Sequence, residues 1–121
     1  MILVVGGISS GKRSYVKEVL GYNDNQIADG IIDNKPVLYN LQDIIRNDNN
    51  SETNKQSLEE LRDLLLDKEV IICNEVGAGI IPVDGKERAW REQTGRICIL
   101  LAKDATKVIR FTCGIPQVIK E

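Results

Sequence analysis

A chain of 121 residues, 42% hydrophobic and 28% charged, has the length of one compact domain and the composition of an ordinary globular protein. Its formal net charge of −2 gives no bulk electrostatic sign of a nucleic-acid or anionic-membrane partner. No apolar run reaches the roughly 20 residues that span a bilayer, and the opening MILVVGG lacks the charged leader of a secretory signal, so a cytoplasmic location is expected.

Residues 1–5 (MILVV) are an aliphatic run without alternation, the mark of a strand buried on both faces. A glycine-rich turn follows. Helical spacing over residues 11–20 puts Tyr15, Val16, Val19 and Leu20 on one side, with Gly21 as a stop. Residues 26–33 are a weaker strand, built on Ile27, Ala28, Ile31 and Ile32, and residues 33–36 (DNKP) read as a turn. Val37, Leu38, Leu41, Ile44 and Ile45 recur at helical spacing, which predicts a helix over 37–46 with Pro36 as its first residue. The polar stretch 47–56 (NDNNSETNKQ) reads as a mobile surface loop. Ser57 and Glu60 fit a capping box opening a helix over 57–66, whose apolar face is Leu58, Leu61, Leu64 and Leu65.

Residues 70–73 predict a second buried strand, running into the loop 74–79, whose glycines permit tight backbone geometry. A long helix is predicted over 84–102, a third aliphatic strand over 107–112 and a short edge strand at 118–120. Strands alternating with helices imply a mainly parallel sheet covered on both faces, organised as one domain over residues 1–121.

Cys73, Cys98 and Cys113 are far apart and odd in number, with no CxxC pair and no histidine in the chain. That pattern argues against a structural zinc site and a disulfide framework. It leaves the cysteines as small buried apolar side chains. The missing histidines also exclude a Ser-His or Cys-His nucleophile and a histidine general base.

Gly6, four residues, then Gly11 and Lys12 reproduce the Walker A spacing of a phosphate-binding P-loop, between a predicted strand and a predicted helix. Glycines let successive backbone N–H groups turn inward around phosphate oxygens, and a helix N-terminus adds a favourable dipole. Gly6, Gly7, Ile8, Ser9, Ser10, Gly11, Lys12, Arg13 and Ser14 are the expected nucleotide-binding residues, with Lys12 reaching the terminal phosphates. Arg13 stands where Ser or Thr normally holds Mg²⁺. It either brings positive charge to the phosphates or serves as a solvated surface cation.

Four blocks then carry a resemblance: residues 1–12 (MILVVGGISSGK), 74–82 (NEVGAGIIP), 88–96 (RAWREQTGR) and the tail from Gly114-Ile115-Pro116 to Lys120. Together they resemble the adenosylcobinamide kinase / adenosylcobinamide-phosphate guanylyltransferase family, and NEVGxGIxP is the most specific piece. Asn40-Leu41, inside VLYNLQDII, is similar to that family's central helix. The resemblance implies a three-layer α/β P-loop NTPase fold, RecA-like, with a mainly parallel sheet. It implies a nucleoside triphosphate, ATP or GTP, with Mg²⁺, adenosylcobinamide as substrate, and a homo-oligomer, commonly a trimer. The family phosphorylates the aminopropanol hydroxyl of adenosylcobinamide and then transfers GMP through a guanylylated histidine. Here the region before residues 28–33 is shortened where that histidine belongs, and Cys98 and Ile99 replace the family's Asn and Gln after Gly95-Arg96.

Three further sets of side chains are candidates. Asp33, at the end of a predicted strand, is either a Walker B-type acid for Mg²⁺ or a turn residue. Glu75, with Asn74, follows the second buried strand at the edge where open α/β sheets bind ligands, and would orient Mg²⁺ or take the substrate proton. Lys12 and Glu75 are thus the expected catalytic pair, and Asp33 and Glu75 the expected metal ligands. Arg88, Arg91 and Arg96 share the long helix, as a phosphate clamp, a subunit contact or a solvated face. Trp90 is a packing or interface anchor.

The functional expectation is a nucleotide-dependent cobinamide kinase without guanylyl transfer. A degenerate, non-catalytic nucleotide-binding or regulatory homologue is the alternative. A purely structural subunit is disfavoured by the intact Gly6/Gly11/Lys12 set.

Overall fold

The computed structural model describes residues 1–7, 10–50, 57–76 and 85–121, the last three residues of the 10–50 stretch by backbone alone. Six strands form one sheet: β1 (Ile2–Gly6), β2 (Ile27–Asp29), β3 (Val37–Tyr39), β4 (Val70–Asn74), β5 (Lys107–Thr112) and β6 (Ile115–Lys120). Their order is β2-β3-β4-β1-β5-β6. Every pair is parallel except β5–β6, which is antiparallel.

The aliphatic run of β1 is explained by its place between β4 and β5, with Leu3 and Val4 buried on opposite faces. Strand alternation then sorts the core into two clusters. Leu3, Leu38, Ile71, Cys73 and Val108 face one way, and Val4, Val37, Ile72, Ile109 and Phe111 the other.

The first cluster is covered by three helices, α2 (Leu41–Asn50), α3 (Leu58–Leu65) and α4 (Gly85–Asp104). Leu41 and Ile45, Leu61 and Leu65, and Ile97 and Leu101 each recur at four-residue spacing, so each helix turns one stripe inward. The other face is covered by α1 (Lys12–Glu18) through Tyr15 and Val16. The result is a three-layer α/β fold, as the resemblance implied. Ser57 Oγ accepts the Glu60 backbone N–H at 3.1 Å and caps α3. Lys120 Nζ donates to Ala102 O and Lys103 O at 2.8 Å each, closing the last turn of α4.

Several elements differ from the periodicity reading. The expected helix over 37–46 divides: Val37–Tyr39 is strand β3, and the helix starts at Leu41. Val37 and Leu38 are wholly buried between β2 and β4, and Asn40 at φ 63° turns the chain from strand to helix. Asn tolerates that left-handed conformation better than other non-glycine residues. Pro36 opens no helix; its carbonyl accepts the Glu69 N–H at 2.9 Å. Residues 47–50 of the expected loop belong to α2, and residues 51–56 lie outside the described residues, as does position 84 of the long helix. The strand over 26–33 stops at Asp29, leaving Ile31 and Ile32 exposed. The edge strand is longer than expected, covering Ile115–Lys120.

A parallel neighbour normally needs a crossover of about a dozen residues, yet only residues 30–36 join β2 to β3. The short path is held from below. Lys68, buried just before β4, donates to Asp33 O at 2.5 Å and Lys35 O at 2.6 Å.

Candidate functional site

The carboxyl edge of the sheet is set by Gly6, which pairs with Asn74 on β4 and Phe111 on β5. A Cβ at Gly6 would meet Phe111 Cβ at 2.8 Å and Phe111 O at 2.9 Å, so only glycine fits. Gly11 at φ 90° then turns the chain into α1. Lys12, the first residue of that helix, is only 4% exposed. Its Nζ donates to Gly7 O, and to Ser10 Oγ at 3.1 Å, folding the cation back over its own loop. Burial lowers its pKa, and the charge of Glu75 works against that shift.

Ser10, Gly11, Lys12, Arg13, Ser14 and Tyr39 line a cavity of about 300 Å³. Arg13 donates to Asp24 Oδ1 at 2.8 Å and lies 5.3 Å from the Tyr39 ring centroid. Lys17 reaches the same carboxylate at 3.1 Å. The hydrogen bonds from Arg13 and Lys17 hold the Asp24 carboxyl below its ordinary range. Ser14 is exposed but borders the cavity. Ile8 and Ser9 lie outside the described residues.

Glu75 sits at the same edge. Its backbone N–H donates to Gly6 O at 2.8 Å. Its carboxylate takes a two-point contact from Arg110, Nε to Oε1 at 2.9 Å and a second guanidinium nitrogen to Oε2 at 3.4 Å. Glu75 also borders a second cavity of about 400 Å³, with Val5, Asn74, Val76, Thr94, Gly95 and Cys98. The polar cavity beside Lys12 and this largely apolar one are both lined by residues at the carboxyl edge of the sheet.

Asp33 does not join them. Its backbone oxygen is held by Lys68 before the start of β4, and its carboxylate accepts the Lys35 N–H at 2.8 Å. It is a turn residue at the amino edge, the end of the sheet opposite Lys12. Arg96 pairs with Glu92 at 2.6 Å on the exposed face of α4. Trp90 anchors packing within the chain, donating from Nε1 to Gln42 O at 2.7 Å beneath the Arg46 guanidinium. Among the cysteines, Cys73 is buried, but Cys98 is only partly so and Cys113 is exposed, in a turn at φ 51°. Contact with Cys98 and burial push the Cys73 thiol up.

Two features of this edge are not legible in hydrophobic periodicity. Arg110, the charged residue inside the run KVIRFT that Lys107 opens, is the partner of Glu75. Asn40 Nδ2 donates to Asp29 Oδ1 at 2.7 Å, Gln42 Nε2 to Asn40 Oδ1 at 3.0 Å, and the Asn74 N–H to Gln42 Oε1 at 3.0 Å. This relay ties the ends of β2, β3 and β4 together. Its only local signal was the Asn40 between a strand-like and a helix-like run.

Residues 37–119 match the sequence signature of the CobU family, cobinamide kinase / cobinamide phosphate guanyltransferase. The chain belongs to the CobU family. The matched span takes in Glu75 and all of α4 but not residues 6–14, whose expected phosphate-binding role comes from their spacing in the sequence. No curated protein matches the chain. Residues 77–82 of the family-like NEVGAGIIP segment lie outside the described residues. Membership makes this a kinase/guanylyltransferase-like protein of cobalamin biosynthesis. Among the described residues no helix is long and apolar enough to cross a membrane.

CobU proteins generally use a nucleoside triphosphate with Mg²⁺. The described residues do not fit a protein-held Mg²⁺. Arg13 replaces the hydroxyl ligand and Asp33 is at the far edge, which leaves Glu75, ion-paired with Arg110, as the only one of the expected ligands near the loop. No group of three or more metal-ligating side chains occurs among the described residues.

Proposed function

We propose that this CobU-family chain binds a nucleoside triphosphate at residues 6–14 and phosphorylates the hydroxyl of cobinamide, without a guanylyl-transfer step. One observation carries the reading: Glu75 borders the apolar cavity, while its backbone holds Gly6 at the root of the phosphate loop. An acceptor in the apolar cavity would meet the phosphates across that contact.

Lys12 leaves Gly7 O and Ser10 Oγ to contact the terminal phosphates. Glu75, exchanging Arg110 for substrate, accepts the hydroxyl proton as the oxygen–phosphorus bond forms. The bond from the terminal phosphorus to the bridging oxygen breaks, and the nucleoside diphosphate leaves. GMP transfer through a phosphoramidate needs an imidazole, and the chain has no histidine.

A second reading, a non-catalytic nucleotide sensor, is favoured by the closed Glu75–Arg110 pair and by Arg13. We place either protein in the cytoplasm as one domain and as a homo-oligomer, a trimer by family resemblance. The exposed Ile115, Val118 and Ile119 on β6 support assembly.

Incubation with labelled GTP or ATP and cobinamide decides between the readings. Slow formation of cobinamide phosphate supports the kinase. Nucleotide binding without product supports the sensor. GDP-cobinamide, or label retained on denatured protein, would refute the absence of guanylyl transfer.

A further inference from the structure

Arg13 occupies the position that in a Walker A loop supplies the Mg²⁺ hydroxyl ligand. A guanidinium cannot coordinate a metal, and a fixed positive charge there opposes a divalent cation. Its side chain nonetheless lines the phosphate-loop cavity beside Lys12. It is held in place from two sides, by Asp24 at 2.8 Å and by the Tyr39 ring at 5.3 Å. Planar guanidinium groups match phosphate oxygens in a fork geometry that a lysine cannot offer. The site thus carries two cations where the usual loop has one and borrows a second from the metal.

We infer that Arg13 takes the place of the divalent cation, so that this loop binds the triphosphate without Mg²⁺, by Lys12 and Arg13 together. The inference rests on the nucleotide reading above and concerns how that ligand's charge is met. Asp24 is the resting partner of Arg13 and is exchanged for phosphate when nucleotide arrives. Tyr39 keeps the guanidinium at the cavity mouth during the exchange. Magnesium-bound nucleotide, with part of its charge already neutralised, gains nothing from this site.

The test is calorimetric titration of ATP and of GTP into the full chain, in EDTA and in excess MgCl₂. The inference predicts that Mg²⁺ does not tighten binding by more than about twofold, a shift under half a kcal/mol on the scale of tenfold per 1.4 kcal/mol. Arg13→Ser, which restores a hydroxyl, is expected to bind about tenfold or more weakly in EDTA and to regain affinity with Mg²⁺. Asp24→Asn, which frees Arg13 and leaves the cavity intact, is expected to bind at least as tightly as the parent in EDTA. It also keeps the test open if Arg13→Ser misfolds, which circular dichroism reveals. Tightening beyond twofold by Mg²⁺ in the parent chain, or weaker binding by Asp24→Asn, overturns the inference but leaves the nucleotide reading standing. Absence of binding under every condition overturns both.

Discussion

Gly6 and Gly7 are adjacent members of one phosphate-loop motif, yet the structure gives them opposite sensitivities. An alanine methyl at Gly6 would sit 2.8 Å from Phe111 Cβ and 2.9 Å from Phe111 O. Real side chains do not approach so closely, and the obstacle is β5 itself, because Phe111 pairs with Gly6 in the sheet. Trimming Phe111 to alanine leaves both atoms in place, so it offers no relief. The β1–β5 ladder must part at the root of the loop. Overpacking of this kind costs about 1–3 kcal/mol. At about 4 °C per kcal/mol for a chain of this size, Gly6→Ala should lower Tm by roughly 4–12 °C. At Gly7 a Cβ would meet nothing within 4 Å, so Gly7→Ala should leave Tm within about 2 °C. Calorimetric melts of the two variants beside the parent measure the difference. Equal melting temperatures for the two variants would refute the placement of Gly6 between β4 and β5.

Two other substitutions and one labelling experiment probe separate parts of the molecule. Burial holds the pKa of Lys12 below the ordinary lysine value of about 10.4. The unfolded chain therefore binds more protons just below that pH, and this residue makes stability rise as pH increases through that window. Lys12→Met should flatten the rise in urea melts while removing nucleotide affinity, and an unchanged slope would contradict the assignment. Lys68→Met strips the lysine from Asp33 O and Lys35 O and should cost about 1.5–3 kcal/mol, read as a lower urea midpoint. An unchanged midpoint would show that the short β2–β3 connection stands without it. Alkylation of the native chain followed by peptide mass mapping should label the exposed Cys113 first and the buried Cys73 only after unfolding. Early loss of Cys73 would contradict the position of β4 in the core.

Legibility in the sequence followed the range of the interactions involved. β1 and β4 were visible because central parallel strands are apolar on both faces, and β5 because Val108, Ile109 and Phe111 supply both faces of the core around its exposed Arg110. The Walker A spacing was legible because it lies within seven consecutive residues, from Gly6 to Lys12. β3 was not. Three residues are too few for alternation, and Val37 and Leu38 continued the helical rhythm of Leu41, Ile44 and Ile45. Burial between two strands overrode that rhythm, a decision made by β2 and β4 rather than by the segment itself. The polar tail of α2 looked like a loop because residues 47–50 have low apolar content, although the helix is anchored upstream by Leu41 and Ile45. For Asp33 the sequence left a Walker B-type acid and a turn residue open, because it does not show at which sheet edge a turn lies; Lys68, 35 residues away, fixes that edge. The Glu75–Arg110 pair is likewise a contact across 35 residues, and the separate positions held no hint of it.

The central claim is that Lys12 and its loop hold a nucleotide phosphate. Calorimetric titration of ATP and GTP into the parent chain and into Lys12→Ala tests it most directly. Removing a charge-assisted contact worth about 1.5–3 kcal/mol should weaken binding by about 10- to 100-fold in the variant. Saturable binding in the parent with that loss in Lys12→Ala is the predicted result. Equal affinities in the two chains, or no binding heat in the parent, would contradict it.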